Sequence, residues 1–217
     1  ESFEVWAGQY FHQTEPTLFV ANSSPMGQET PADTVQFFLR ELGIFQQKGA
    51  LAGSEPGFAA AYGVAPVDLG EDGRMDIAVL ERRVNLNEPN GEGTSQAARL
   101  SFFRTDFDEQ TFSEEPEFER TLDFVGGTAL ASGDFNCDGW PDLVIAYSEE
   151  ASVGPDASGA LTVIYGPNYG TASERVIDSD VNASAGDIVV ADLDADGVPE
   201  IAVPQWEPGA VKIYSPR

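Results

Sequence analysis

Asp134 to Tyr147 reads DFNCDGWPDLVIAY, and the reading of this stretch decides the fold. Oxygen-bearing side chains stand at its first, third, fifth and ninth positions: Asp134, Asn136, Asp138 and Asp142. Gly139 is sixth, where an acidic calcium loop must turn sharply, and the backbone carbonyl of Trp140, the seventh, can add a ligand. Oxygens crowded this closely repel one another unless a cation sits among them. The pattern returns as DLDADGVPEIAVP from Asp192 and, in weaker form, as DLGEDGRMDIAVL from Asp68.

The residues after each loop separate it from a helix-loop-helix calcium site. An EF-hand would place its bidentate acid at the twelfth position and continue into a helix. Here the last acid is the ninth, and the chain runs on into Ile77–Leu80, Leu143–Ala146 and Ile201–Val203. Short apolar runs of this kind read as buried strands. Val64–Val67, Ala129–Ser132 and Ile188–Ala191 precede the loops and are strand-like as well. The unit is therefore strand, calcium loop, strand.

The first sixty or so residues carry the same unit with its ligands lost. Laying Trp6–Asn22 on Ala131–Tyr147 matches Gly8 with Gly133, Tyr10 with Phe135, Pro16 with Pro141 and Leu18 with Leu143. The ligand positions become Gln9, Phe11, Gln13 and Thr17, so this loop is expected to hold no calcium. His12, the only histidine, falls there and reads as an exposed loop residue. Loops starting at 9, 68, 134 and 192 recur about every 60 residues, the mark of a repeat architecture.

Each second strand is followed by a polar linker, at 22–33, 84–97 and 148–159 in the first three units. Third strands are expected at Val35–Leu39, Leu100–Phe103, Leu161–Tyr165 and Val211–Tyr214. Weaker fourth strands fall around Gly43–Gln46, Phe118–Leu122 and Arg175–Asp178, and Phe3–Val5 supplies the first strand of the first unit. Four short antiparallel strands per repeat make a β-propeller blade. The expected fold is all-β, with blades at approximately 1–57, 58–123, 124–184 and 185–217, the last incomplete at three strands. A three-stranded blade exposes an edge that can pair with another chain or simply face water.

Composition narrows the function. In 217 residues there are 37 acidic and 11 basic side chains, for a formal net charge of −26. Such a surface repels nucleic acid. No run approaches the length of a membrane-spanning helix, so membrane insertion is not expected. Gly 22 and Pro 14 suit a turn-rich β protein. Cys137 is alone and forms no disulfide within the chain. Glu1 is not an initiator, so a processed or truncated chain is expected. Catalysis is not expected: there are one histidine, two lysines (Lys48 and Lys212), no Gly-x-Ser-x-Gly elbow and no phosphate loop.

The three loops, Asp68–Gly73 with Asp76, Asp134–Gly139 with Asp142, and Asp192–Gly197 with Glu200, resemble the FG-GAP/VCBS repeats of calcium-binding β-propellers, also found in integrin α subunits. The resemblance implies an extracellular, calcium-stabilised propeller used in adhesion, recognition or surface structure. This chain departs from it in the stripped first loop and in having only four repeats, fewer than such propellers usually have. Closure of a ring within one chain therefore stays open.

Three calcium ions are expected. Their ligands are Asp68, Asp72, the Arg74 carbonyl and Asp76; Asp134, Asn136, Asp138, the Trp140 carbonyl and Asp142; and Asp192, Asp194, Asp196, the Val198 carbonyl and Glu200. Gly70 removes the third-position ligand of the Asp68 loop, so a water or Glu71 must substitute and this site should be weakest. The expected protein is secreted or at the cell surface and acts in surface structure or adhesion. Its partner is itself or another surface protein, and it can serve as a subunit of a fibre completed by strand pairing. Two alternatives stay open: a closed four-bladed recognition module for protein or carbohydrate, and a polysaccharide-active enzyme domain. Asn22-Ser23-Ser24 and Asn182-Ala183-Ser184 are glycosylation sequons in expected loops. Phe37, Phe38, Phe102 and Phe103 are expected to pack between blades, and Trp206, Tyr165 and Tyr214 in core or rim rather than as a sugar platform.

Overall fold

Four small antiparallel sheets follow one another along the chain. The first contains β1 (Val5–Gly8), β2 (Thr17–Ala21), β3 (Val35–Glu41) and β4 (Ile44–Leu51). The second contains β5 (Phe58–Val67), β6 (Asp76–Arg83) and β7 (Ala97–Phe103). A small hairpin, β8 (Thr105–Asp106) with β9 (Thr111–Phe112), then precedes its last strand, β10 (Phe118–Val125). The third contains β11 (Gly127–Gly133), β12 (Asp142–Ser148), β13 (Gly159–Ile164) and β14 (Glu174–Asp178), and the fourth β15 (Val189–Ala191), β16 (Glu200–Pro204) and β17 (Val211–Tyr214). The computed structural model describes residues 5–8, 16–21, 35–41, 43–51, 58–83, 97–125, 127–148, 159–181, 188–205 and 209–215, and among these there is no helix.

Strand positions agree with the repeat reading, and their extents correct it in places. Val5 opens β1 rather than closing it, because the strand pairs onward through Gly8 with Thr17; Phe3 and Glu4 lie outside the described residues. Ala97, Ser148 and Gly159 belong to strands and not to linkers, since Ala97 pairs with Val125 and Ser148 with Gly159. β10 accordingly runs to Val125, across the expected boundary at 123. The fourth strand of the first sheet is a full eight residues. The β8–β9 hairpin has no apolar run to announce it. Its turn is made by Asp106, whose Oδ1 accepts the N–H groups of Asp108 and Glu109, and by Gln110 at φ 53°.

Alternation along each second strand stacks the sheets in series. In an antiparallel strand successive side chains point to opposite faces. Ile77 and Val79 of β6 meet Phe19, Phe37 and Leu39 of the first sheet. Ala78 and Leu80 point the other way, against Leu143 and Ile145 of β12. Val144 and Ala146 then face Ile201 and Val203 of β16. All of these side chains are buried, and burying an aliphatic or aromatic side chain contributes about 1.5–3 kcal/mol. At the second interface β5 and β11 approach so closely that a Cβ on Gly63 would lie 2.4 Å from that of Leu130. Only glycine fits there.

The phenylalanine pairs divide by the same rule. Phe102 faces the third sheet, with ring centroids 4.4 Å from Phe118 and 5.7 Å from Tyr169, while Phe103 faces the first. Phe37 meets Phe112 edge-on at 5.1 Å. Phe38 does not pack between sheets: it pairs with Leu18 and points with it to the opposite, half-open face of the first sheet. Among the described residues no apolar cluster joins the fourth sheet to the first.

Candidate metal centres

The three acidic loops connect β5 to β6, β11 to β12 and β15 to β16, and they share one backbone plan. The first-position aspartate caps the turn with both oxygens. Asp134 accepts the N–H of Asp138 (3.1 Å) and of Gly139 (2.9 Å). Asp192 does the same for Asp196 (3.1 Å) and Gly197 (3.0 Å), and Asp68 for Asp72 (3.2 Å) and Gly73 (2.7 Å). The fifth-position acid accepts the N–H of the seventh residue: Asp72 from Arg74, Asp138 from Trp140 and Asp196 from Val198.

The ninth-position acid closes the loop from the strand side. Asp76, Asp142 and Glu200 accept the N–H of Leu69, Phe135 and Leu193 at 3.0, 2.9 and 2.8 Å. Their second contacts tie the loop to its sheet: Thr105 donates to Asp76 at 2.7 Å and Gly166 to Asp142 at 2.9 Å. These acids are buried, whereas the third- and fifth-position side chains are exposed. Burial pushes the Asp142 carboxyl up to about 6, against the hydrogen bonds from Gly166 and Phe135, and the charges of Asp138 and Asp134 push the same way. Burial also raises Asp76, partly offset by the Thr105 and Leu69 N–H groups and by Arg104. A cation in the loop would relieve this repulsion.

Backbone conformation explains the glycine and adds a position that sequence reasoning missed. Gly73, Gly139 and Gly197 have φ of 77°, 92° and 90°, open to glycine at no steric cost. The fourth residue is left-handed too: Glu71, Cys137 and Ala195 have φ of 53°, 60° and 62°. None of those three residue types favours that conformation, so composition gave no signal for it. Cys137 is exposed.

Convergence is clearest in the last loop, where carboxylate oxygens of Asp192, Asp194 and Glu200 lie within 4.8 Å of one another. Asp196 stands outside this trio. In the Asp134 loop the third-position group is the Asn136 amide, which accepts the N–H of Asp138 and donates to its carboxylate at 2.8 Å. The Asp68 loop has Gly70 there and also carries a competing cation: Arg74 Nε lies 3.6 Å from Asp72, with its guanidinium 5.0 Å from the Phe107 ring. Oxygen-only donor sets with mixed carboxylate, amide and carbonyl groups suit calcium, which accepts irregular shells that magnesium does not.

Other sequence-selected residues divide into two groups. Gln9, Phe11, Gln13, His12, Asn22, Asn182 and Trp206 lie outside the described residues, while Thr17 is buried in β2. Tyr165 and Tyr214 pack against the core between the third and fourth sheets, their hydroxyls held by Arg175 and Asp178.

An all-β chain of repeated strand–acidic loop–strand units is the class these features define. Residues 134–203 match the FG-GAP-like repeat family, a span running from Asp134, the first residue of the second acidic loop, to Val203 in β16. That stretch is of the FG-GAP/VCBS type that its loop motifs resemble. No curated protein matches the chain. Among the described residues no helix is long and apolar enough to cross a membrane.

Proposed function

We propose that the chain is a calcium-binding, propeller-type module of an extracellular or cell-surface protein, acting in surface structure or adhesion and without catalytic activity. The observation that carries this reading is the convergence of Asp192, Asp194 and Glu200 in a loop plan repeated three times. Calcium neutralises the clustered carboxylates and pins the turn between the two first strands of each sheet. The formal charge of −26 favours a cation-rich setting, and calcium outside cells is abundant enough to fill weak loops. The blade-like sheets, the FG-GAP-like match and the oxygen-only loops support the same conclusion.

Calorimetric titration of the chelated chain with calcium, and separately with magnesium, tests it. Saturable calcium uptake at three loops, with a higher melting temperature that magnesium does not reproduce, is the expected result. No heat and no change in melting at millimolar calcium overturns the metal assignment. Turnover of any member of a polysaccharide panel overturns the non-enzymatic one.

A further inference from the structure

After β7 the chain departs from the plan of its neighbours. β3 passes to β4, and β13 to β14, with no strand between, whereas the second sheet inserts the β8–β9 hairpin at this point. The hairpin is fastened to the Asp68 loop: Thr105 N–H donates to Asp76 at 2.7 Å and Thr105 Oγ1 to the Met75 carbonyl at 2.6 Å. Its base is closed by Ser113 N–H on the Arg104 carbonyl at 2.8 Å and by Arg104 N–H on Ser113 Oγ at 3.2 Å. Between hairpin and loop lies a cleft of about 440 Å³, within the roughly 300–1,000 Å³ of small-molecule sites. Its walls are held in place before any ligand arrives, which lowers the cost of binding.

The lining is polar and carries both signs. Arg74 and Arg104 both stand on it, in a chain with 37 acidic and only 11 basic side chains. Both reach toward Asp72: Arg74 Nε lies 3.6 Å from its carboxylate, and a Cβ on Gly70 would lie 3.3 Å from Asp72 Cγ and 3.4 Å from Arg104 Nη1. Arg104 Nε lies 3.3 Å from Glu117. Both pairs are made at Nε between half-exposed groups, and among the described residues no hydrogen bond engages the Nη groups of either arginine. The Phe107 ring, with the Arg74 guanidinium 5.0 Å from its centroid, supplies an apolar wall. Asp106 and Asp108 add acceptors to the lining: Asp106 holds the N–H groups of Asp108 and Glu109 on Oδ1, which leaves Oδ2 for a ligand.

These groups select a ligand class. A planar carboxylate takes guanidinium N–H donors in pairs, while ionised Asp106 and Asp108 accept and do not donate. An inorganic anion offers the aspartates no donor, and a simple cation offers the arginines no acceptor. A sugar acid offers both: a carboxylate for the arginines, hydroxyl groups around its ring for the aspartates, and C–H faces for Phe107. We propose that the cleft binds a uronic acid residue of an acidic saccharide, with Arg74 and Arg104 on its carboxylate and Asp106 and Asp108 on its hydroxyls. The inserted hairpin builds the cleft, so the site belongs to the second sheet and is not repeated with the acidic loops. It goes beyond the metal assignment and does not rest on it, because every ligand contact is made by a side chain of this chain.

Calorimetric titration of the full chain in millimolar calcium tests it, with the methyl glycosides of glucuronic and galacturonic acid as probes. Methyl glucoside, acetate and glycine are the controls. At least one uronide is expected to bind at one site per chain, about tenfold or more tighter than any control. Arg74→Gln and Arg104→Gln should each weaken it about tenfold; both positions are exposed, and circular dichroism melts verify folding. Asp108→Ala separates a sugar from a bare anion. Loss of a hydroxyl acceptor weakens the uronide, whereas a cleft that merely gathers negative charge binds it more tightly once the aspartate is gone. Absence of uronide binding at millimolar concentration overturns the proposal, as does acetate or glycine binding equally well. Uronide binding that survives both arginine substitutions places the sugar on loop calcium or elsewhere and overturns the cleft assignment. None of these failures touches the calcium titration, which reads the metal without a sugar.

Discussion

The Tyr169 hydroxyl donates a 2.5 Å hydrogen bond to the carbonyl of Pro141, in the loop that carries Asp138 and Asp142. Tyr169 is fully buried, stacks on Phe102 of the second sheet and has its own carbonyl held at 2.6 Å by Arg120. One side chain thus couples an acidic loop of the third sheet to the core it shares with the second. Tyr169→Phe keeps the ring and leaves the carbonyl unpaired. It should cost about 1 kcal/mol, a fall of roughly 2–4 °C in melting temperature for a chain of this length. An unchanged melt would mean the hydroxyl is replaced by water without loss.

The loops should answer to substitution in opposite directions. Asp138→Ala removes one carboxylate of the proposed calcium site and the acceptor for Trp140 N–H, and should lower the melting temperature in saturating calcium by about 2–4 °C or more. Gly70→Asp places a carboxylate at the third position of the Asp68 loop, where the other two loops carry Asn136 and Asp194. Its Cβ would lie 3.3–3.4 Å from Asp72 and the flexible end of Arg104, which can give way. Calcium titration of this variant should show the weakest site tightened. Loss of the site instead would mean that Arg74 and not Gly70 limits it.

Most of the strand pattern and all three loops were legible because each depends on local chemistry: ligand spacing, a glycine at the sixth position, β-branched runs after the ninth. What escaped was set by partners distant in sequence. Phe38 looks like Phe37 in the chain, and only its pairing with Leu18 turns it to the other face. The β8–β9 hairpin depends on the Asp106 turn and on Thr105 reaching the Asp76 carboxylate. The left-handed fourth loop position is imposed by the first aspartate gripping the next two N–H groups, whatever the residue. Stacking order was also out of reach, since it is a property of faces and not of any one strand.

Between the first and second sheets an ionic cluster sits inside the stack. Arg99 places Nε and Nη2 3.3 and 3.2 Å from Glu81 Oε2, and Nη1 3.1 Å from Glu119, while Ser101 donates to Glu81. Glu81 and Arg99 are both essentially buried. Removing one partner strands the other's charge, so Arg99→Met should cost about 3–5 kcal/mol. Adding Glu81→Met should recover most of that loss, because the pair itself contributes little over apolar packing. Additive losses in denaturant unfolding of the double variant would show that the cluster matters through Ser101 and Glu119 rather than through the pair.

Acid should loosen the joint between the third and fourth sheets, which neutral pH leaves intact. Asp178 at the end of β14 accepts from Tyr214 Oη at 2.8 Å and from Lys212 Nζ at 3.2 Å, both on β17, and from the N–H of Asp180 at 2.9 Å. Burial alone would raise this carboxyl, but the Asp180 N–H, the Tyr214 hydroxyl and Lys212 together hold it below its ordinary 3.8. A carboxylate depressed in the folded state adds stability above its unfolded value and loses it as pH falls through the folded one. Its contribution is therefore intact at neutral pH and disappears below 3.8. Asp178→Asn should melt below the parent at neutral pH, and the gap should close as pH drops through that window. The Lys212 side chain is partly exposed, so the gap should also narrow in high salt. A gap that stays constant across the acid range would assign the effect to the amide's altered hydrogen bonding and not to the charge.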